Sequence, residues 1–255
     1  MKPKTCISCS CLLVGMTVSL LQAQMVGNPV GVRGTGEWTV SAIGTYMDQQ
    51  VGSETAISRR ILLKSTWGAA SWLDLYCIGG MAQLELLTGV INIVDYKSKY
   101  RFGYGGGVNI TLTPMRESRM EIYLGVQALR FPSEGSFQVV GKVYTQEFEM
   151  KYDWREFQGH VGIVYPYHTL RLYAAGVVWA LQRFDTKNEY WNYRNSRNYV
   201  GESRGEYRSG VWTGGVVGLE LLLPKGYAIS CEGLFFNEVN YHIMVGISQT
   251  GKFDW

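Results

Sequence analysis

The sequence of 255 residues is poor in proline, with 6, and in cysteine, with 5. Cys6, Cys9 and Cys11 crowd the extreme N-terminus, so only Cys77 and Cys231 lie beyond it. Two cysteines in so long a chain exclude a disulfide framework. Beyond residue 23, the longest apolar run is the stretch Leu172–Leu181, about half of the ~20 residues a spanning helix needs. Neither sign of charge dominates. A net charge of +3 offers no clustered basic face for nucleic acid. Catalytic constellations are missing too. No Asp-x-Asp or Asp-x-His occurs, and neither His160 nor His242 has a serine two residues on. His168 falls in an expected turn. Gly103–Gly107 is followed by no Lys-Ser/Thr, so it is not a phosphate loop. No cluster has metal-ligand spacing. The sequence points to no enzyme, no cofactor and no metal.

What is present begins with a targeting segment. Lys2 and Lys4 precede an apolar stretch from Cys11 to Leu21, which closes on Gln22-Ala23. This is the plan of a cleaved secretory signal, read here as residues 1–23. No cysteine stands at the cut, which argues against lipidation. Residues 24–36 read as a flexible N-terminal segment, and 37–255 as one domain.

That domain repeats one signal about ten times. Segments of 9–16 residues are apolar on one parity, near 37–47, 57–68, 72–84, 100–113, 119–131, 151–165, 169–182, 208–223, 226–236 and from 240 onward. The segment at 100–113 is the clearest. Phe102, Tyr104, Val108, Ile110 and Leu112 alternate with Arg101, Gly103, Gly105, Gly107 and Asn109. Links at 69–71, 114–117, 166–168, 224–226 and 237–239 are short. Those at 48–56, 85–99, 132–150 and 183–207 are long. Alternating strands joined alternately by short turns and long loops predict an all-β, closed, antiparallel up-and-down transmembrane barrel of about ten strands, with eight as the alternative. Aromatics at segment ends, among them Trp38, Tyr46, Trp67, Phe102, Tyr104, Tyr165, Tyr227, Phe235 and Tyr241, are spaced to form girdles.

On these segments the chain resembles the small, eight- to ten-stranded bacterial outer-membrane β-barrel superfamily. The resemblance covers most of the mature chain and rests on pattern. Trp255, with Phe253, Ile247, Val245, Ile243 and Tyr241 on its parity, looks like the C-terminal strand by which the assembly machinery recognises such proteins. Gln249 and Gly251 interrupt that parity, so the last strand is expected to stop near Ser248. The resemblance implies outer-membrane lipid as a partner and termini in the periplasm.

The inward parity carries Arg60, Lys64, Arg101 and Arg171 against Asp74, Glu121, Glu156, Glu220 and Glu232. Buried charges must be paired, and side chains can fill a small barrel. The near balance predicts a salt-bridged polar plug and a structural or surface role. The alternative is a small passive pore for ions or solutes. Inward Gly103, Gly105 and Gly107 favour the pore if they leave room for water; long arginines from neighbouring strands could fill the same space. A third reading is an adhesin or ligand-binding surface acting through 183–207. Tyr190, Trp191, Tyr193, Arg194, Arg197 and Tyr199 there are residue types common in recognition surfaces.

Overall fold

In the computed structural model, residues 34–51, 54–87, 96–112, 120–140, 145–193, 197–208, 212–236 and 240–252 are described. The expected signal segment 1–23, most of 24–36, Arg194, Phe253 and Trp255 lie outside them. The strands are β1 (Glu37–Val51), β2 (Glu54–Ala70), β3 (Leu73–Leu87), the two-residue β4 (Tyr96–Lys97), β5 (Arg101–Leu112), β6 (Glu121–Val140), β7 (Thr145–Tyr167), β8 (Leu170–Tyr193), β9 (Arg197–Arg208), β10 (Trp212–Leu222), β11 (Tyr227–Phe236) and β12 (Asn240–Lys252).

Ten of these close a ring. Each pairs antiparallel with its neighbour in the order β1-β2-β3-β5-β6-β7-β8-β10-β11-β12, and β12 pairs back onto β1. Closure leaves the ring no unpaired edge. β4 adds to β3, and β9 adds to β8 beyond the start of β10. Period-2 alternation sorts the side chains. On β7, Tyr152, Trp154, Glu156, Gln158 and His160 are buried, while Phe157, Val161, Ile163 and Tyr165 are exposed on the outer wall.

One end of the ring is built of tight turns. β7 and β8 are joined through His168-Thr169, where His168 has φ 52°, a left-handed conformation that two-residue hairpins demand. Pro224–Gly226 makes one 3-10 turn before β11, with Gly226 at φ 76°. A Cβ at Gly226 would lie 2.5 Å from the Thr250 carbonyl oxygen. The other end carries long hairpins.

Several expected loops are strands. β6 runs to Val140 and β7 starts at Thr145, which absorbs most of 132–150. β8 and β9 absorb most of 183–207. In the sequence these stretches lack the outward apolar stripe: Arg130, Glu134, Lys151, Asp153 and Arg155 stand on the outward parity of β6 and β7, so they do not stand out as lipid-facing strands. β12 also continues past Ser248. Val40 pairs with Gln249 and Trp38 with Gly251. Gly251 breaks the parity because a Cβ there would lie 2.7 Å from the Trp38 ring.

The inward glycines hold neither water nor arginine. A Cβ at Gly103 would lie 2.0 Å from the Phe131 ring, and one at Gly107 2.4 Å from the Tyr76 hydroxyl. At Gly105 it would lie 2.2 Å from the Ala128 carbonyl oxygen. Strand β5 is thus bare on its inner face so that side chains from β3 and β6 can close over it. Gly105→Ala is expected to lower stability by about 1–3 kcal/mol through overpacking. Gly176→Ala, where the nearest atom is 4.0 Å away, should be near neutral. Urea unfolding of the protein refolded in detergent micelles compares the two; equal midpoints would refute the tight closure over β5.

Candidate functional site

Among the described residues, inward side chains occupy the lumen. Inward side chains form two apolar clusters. The larger one includes Met47, Leu62, Ile78, Leu84, Leu129, Phe131 and Trp154. The smaller one joins Tyr123, Val164, Tyr173, Val177, Val216 and Leu234. The second cluster explains why β8 is apolar on both parities: Tyr173 and Val177 point inward.

Between the apolar groups lies a set of ionic contacts. Arg60 on β2 and Glu156 on β7 stand four strands apart around the ring. They meet inside it, Nη2 to Oε1 2.8 Å, with both side chains 1% exposed. The second nitrogen, Nη1, lies 3.5 Å from Oε2, and Nε donates to Ser58 Oγ at 3.0 Å. The guanidinium also faces the Phe131 ring at 4.0 Å and the Trp154 ring at 5.7 Å. A planar fork with five donors can take a carboxylate, a hydroxyl and an aromatic face together. A cavity of about 10 Å³ beside this group has room for one water.

The other predicted lumen residues are placed as follows. Lys64 is buried, with Nζ 4.1 Å from the Tyr76 ring centre. Arg171 donates to Glu220 Oε2 at 2.9 Å across the β8–β10 pair. Glu232 accepts from the Tyr173 hydroxyl at 3.1 Å. Glu121, half-buried, begins β6 at the tight-turn end. Asp74 is buried near that end, opposite Asn109. There Asp74 Oδ1, Asn109 Oδ1, the Tyr123 hydroxyl and both His160 nitrogens make no hydrogen bond within the protein. Asn109 Oδ1 and His160 Nε2 converge over Gly125, whose Cβ would lie 2.3 and 2.5 Å from them. Buried polar atoms without a protein partner are costly unless internal water reaches them.

Arg101 departs from its expected place. It has the inward parity but is the first residue of β5, at the long-hairpin end. There it is 46% exposed and pairs with Glu134 instead of lining the lumen. Parity sets the face of a strand; height along the strand decides whether that face is enclosed. Of the expected recognition residues, Arg194 lies outside the described residues. Tyr190, Trp191 and Tyr193 fall on β8, and Arg197 and Tyr199 on β9, as backbone positions. Cys77 and Cys231 are unbridged on β3 and β11. Among the described residues, no group of three or more His, Cys, Asp or Glu could hold a metal.

Sequence reasoning missed Phe131, Trp154 and the outward charges of the long-hairpin end. The first two share the inward parity of Gln127 and Glu156, so the signal was present. On the outer wall, Asp153 takes Arg130 at 2.8 Å and also Arg155. Glu85 takes Arg59 at 2.8 Å and also Lys97. Partial burial favours the neutral acid, but the paired cations outweigh it and hold both carboxyls below their ordinary range.

No protein-family model and no curated protein matches the sequence. Solved structures do. The translocator domain of the autotransporter NalP from Neisseria meningitidis is 9% identical, with 96% of this chain and 97% of that chain covered and a TM-score of 0.55. The outer-membrane protease OmpT from Escherichia coli is 10% identical over 89% of this chain and 100% of that one, with a TM-score of 0.46. OprG from Pseudomonas aeruginosa is 13% identical over 87% and 100%, at 0.40. The NalP likeness is one of fold: a closed antiparallel β-barrel.

Two outcomes follow from this geometry. Glu156→Gln leaves the Arg60 guanidinium buried without its counter-charge and should cost about 3–5 kcal/mol, whereas the double change Arg60→Met, Glu156→Leu should recover most of that. Urea midpoints of the three proteins give the answer; a mild Glu156→Gln would show that the pair is solvated. At the long-hairpin end the carboxyl pKa values are lower folded than unfolded. Their contribution is therefore complete above the unfolded value, about 4, and is lost as pH falls through the folded value. Amide exchange in the β6–β7 hairpin should accelerate below about pH 4, and Asp153→Asn should show the fast rate already at pH 7.

Proposed function

We propose that the protein is an integral outer-membrane barrel of the cell envelope, exported by cleavage after residue 23, with both termini and the tight turns on the periplasmic side. The outer wall supports this reading. Ile61, Leu63, Phe102, Val126, Val161, Val217 and Ile247 are all more than 44% exposed on it, a pattern that suits lipid. On β7 the apolar outward run from Phe157 to Tyr165 has the length of a tilted spanning strand, about 9–11 residues. Trp67, Trp72, Tyr165, Tyr167 and Tyr227 edge the belt at one end, and Tyr100, Phe102, Tyr104, Phe235 and Tyr241 at the other. These are the positions of interfacial aromatic girdles. Assembly-machinery recognition through β12 belongs to the same reading.

Within that setting the role is structural, with a closed lumen. The observation that carries it is the Arg60–Glu156 contact, made across the barrel with both side chains 1% exposed. A conducting pore would leave such a pair in water. No catalytic role is assigned. A second reading, binding of a surface ligand through 183–207, draws support from the backbone. β8 and β9 carry that hairpin well beyond the last belt position of β8, Val178.

Protein refolded into planar bilayers is expected to show no steady single-channel conductance; a stable open level would overturn the closed lumen. Unboiled protein should run at a shifted mobility on a gel and need detergent to stay dissolved. Solubility without detergent would end the membrane reading. Deleting 188–203 tests the second reading, since unchanged adhesion of cells displaying the barrel removes the hairpin from it.

A further inference from the structure

The ring is closed, but the sheet that projects above it is open. Among the described residues, β9 pairs with β8 alone. β11, the next strand round the ring, rises only to Phe236, opposite Gly214 on β10. The far side of β9 is therefore a strand edge, a row of backbone donors and acceptors that can template another strand. A Cβ at Gly201 on β9 would meet nothing within 4 Å. The β8–β9 ladder is regular from Arg183–Arg208 to Tyr190–Gly201, where the extra residue Val200 interrupts it.

That regular stretch carries an ordered charge pattern. One parity of β9 reads Glu202, Arg204, Glu206, Arg208, with the sign alternating at each step. The register sets like against like across the sheet. Arg208 stands opposite Arg183, which stands opposite Arg155; Glu206 stands opposite Asp185 and then Asp153. The two rungs above repeat the pattern with Arg204, Lys187 and Lys151, and with Glu202, Glu189 and Glu149. Each rung thus has one sign from β7 to the edge. Like charges directly opposite each other are unfavourable. A strand of opposite sign order beside β9 would complete every rung.

A second copy of β9 has that order. In an antiparallel pair with its two-fold axis at Gly205, Glu202 stands opposite Arg208 and Arg204 opposite Glu206, each twice. Moving the axis to Arg204 or to Glu206 sets like charges opposite, so the pattern selects one register. We propose that the protein binds a second copy of itself through the β9 edge, antiparallel and centred on Gly205. This rests on the reading in which 183–207 is a binding surface, and it names the partner. The axis is perpendicular to the sheet, so the second barrel is inverted and belongs to an opposing membrane. Gly205 faces Thr186, about midway between Val178 at the belt edge and Tyr193 at the end of β8. Each hairpin then spans the gap and stops just short of its partner's belt. One such contact is weak, and many between two surfaces add.

The test uses the full mature chain refolded into phosphatidylcholine vesicles, with clustering followed by light scattering. Wild-type vesicles should cluster. E202K/E206K alone and R204E/R208E alone should each associate about tenfold more weakly or less, and an equal mixture of the two should cluster again. Both variants set opposite charges along the β8–β9 ladder, so a lost contact is not a lost hairpin. With Cys77→Ser and Cys231→Ser, Gly205→Cys should form a disulfide-linked dimer under mild oxidant. Wild-type vesicles that stay dispersed, variants that cluster like wild type, or a mixture that fails to recover each overturn the self-pairing. Dispersed wild-type vesicles, together with cell adhesion that is still lost on deleting 188–203, would assign the hairpin to a different partner and leave the surface-binding reading standing. Insertion is read separately from the mobility shift; its failure brings down the membrane reading and the opposed geometry with it.

Discussion

A closed ring of strands has one demand that an open sheet lacks: its interior must be completed by its own inward side chains. Every other feature of this molecule answers that demand. The Arg60–Glu156 contact is where it is sharpest. The two residues come from strands four places apart on the ring, so their contact ties opposite walls together. Burying both charges is costly, and only good geometry with further partners offsets the cost. Ser58 supplies a hydroxyl and Phe131 an aromatic face. The apolar clusters around the pair then exclude water, which strengthens every contact inside.

Filling the ring also fixes where glycine must stand. A ten-stranded barrel has little width, and large residues on one strand require absence on the next. Phe131 lies over Gly103, Tyr76 over Gly107, and Tyr173 over Gly218. The same complementarity holds outside, where the Trp38 ring lies over Gly251. Read as a strand pattern alone, each of these glycines weakens its own strand. Read with its neighbour, each one admits an aromatic ring that buries far more apolar surface than a methyl group would.

This is also the limit of what the sequence makes legible. Alternation exposes the strands, and parity exposes which side chains face in. Val161, Ile163 and Tyr165 point outward, and Glu156, Gln158 and His160 inward, as their spacing requires. Parity cannot say at what height a residue sits or which distant strand faces it. Arg60 and Arg101 share the inward parity, yet one is buried in the plug and the other is exposed at the rim. Nor does the alternation survive where the outward face of a strand turns polar. The upper parts of β6 and β7 keep Phe131, Tyr152 and Trp154 on the inward parity, but their outward parity carries Arg130, Glu134, Lys151, Asp153 and Arg155 in place of apolar residues, so their sequence lacks the lipid-facing stripe that marks the other strands. The pairing of Arg60 with a carboxylate 96 residues away is a property of register around the whole ring.

The inside and outside charges obey different rules for one physical reason. Inside, a charge left over has no solvent to screen it, and three lumen carboxylates stand against a buried cation or hydroxyl. Glu156 has Arg60, Glu220 has Arg171, and Glu232 has Tyr173. At the long-hairpin rim three outward carboxylates, Glu85, Glu134 and Asp153, each contact two cations. There water screens the field within about 8–10 Å, so charges need not be matched one to one, and the rim holds exposed arginines and lysines that the lumen could keep only against a counter-charge.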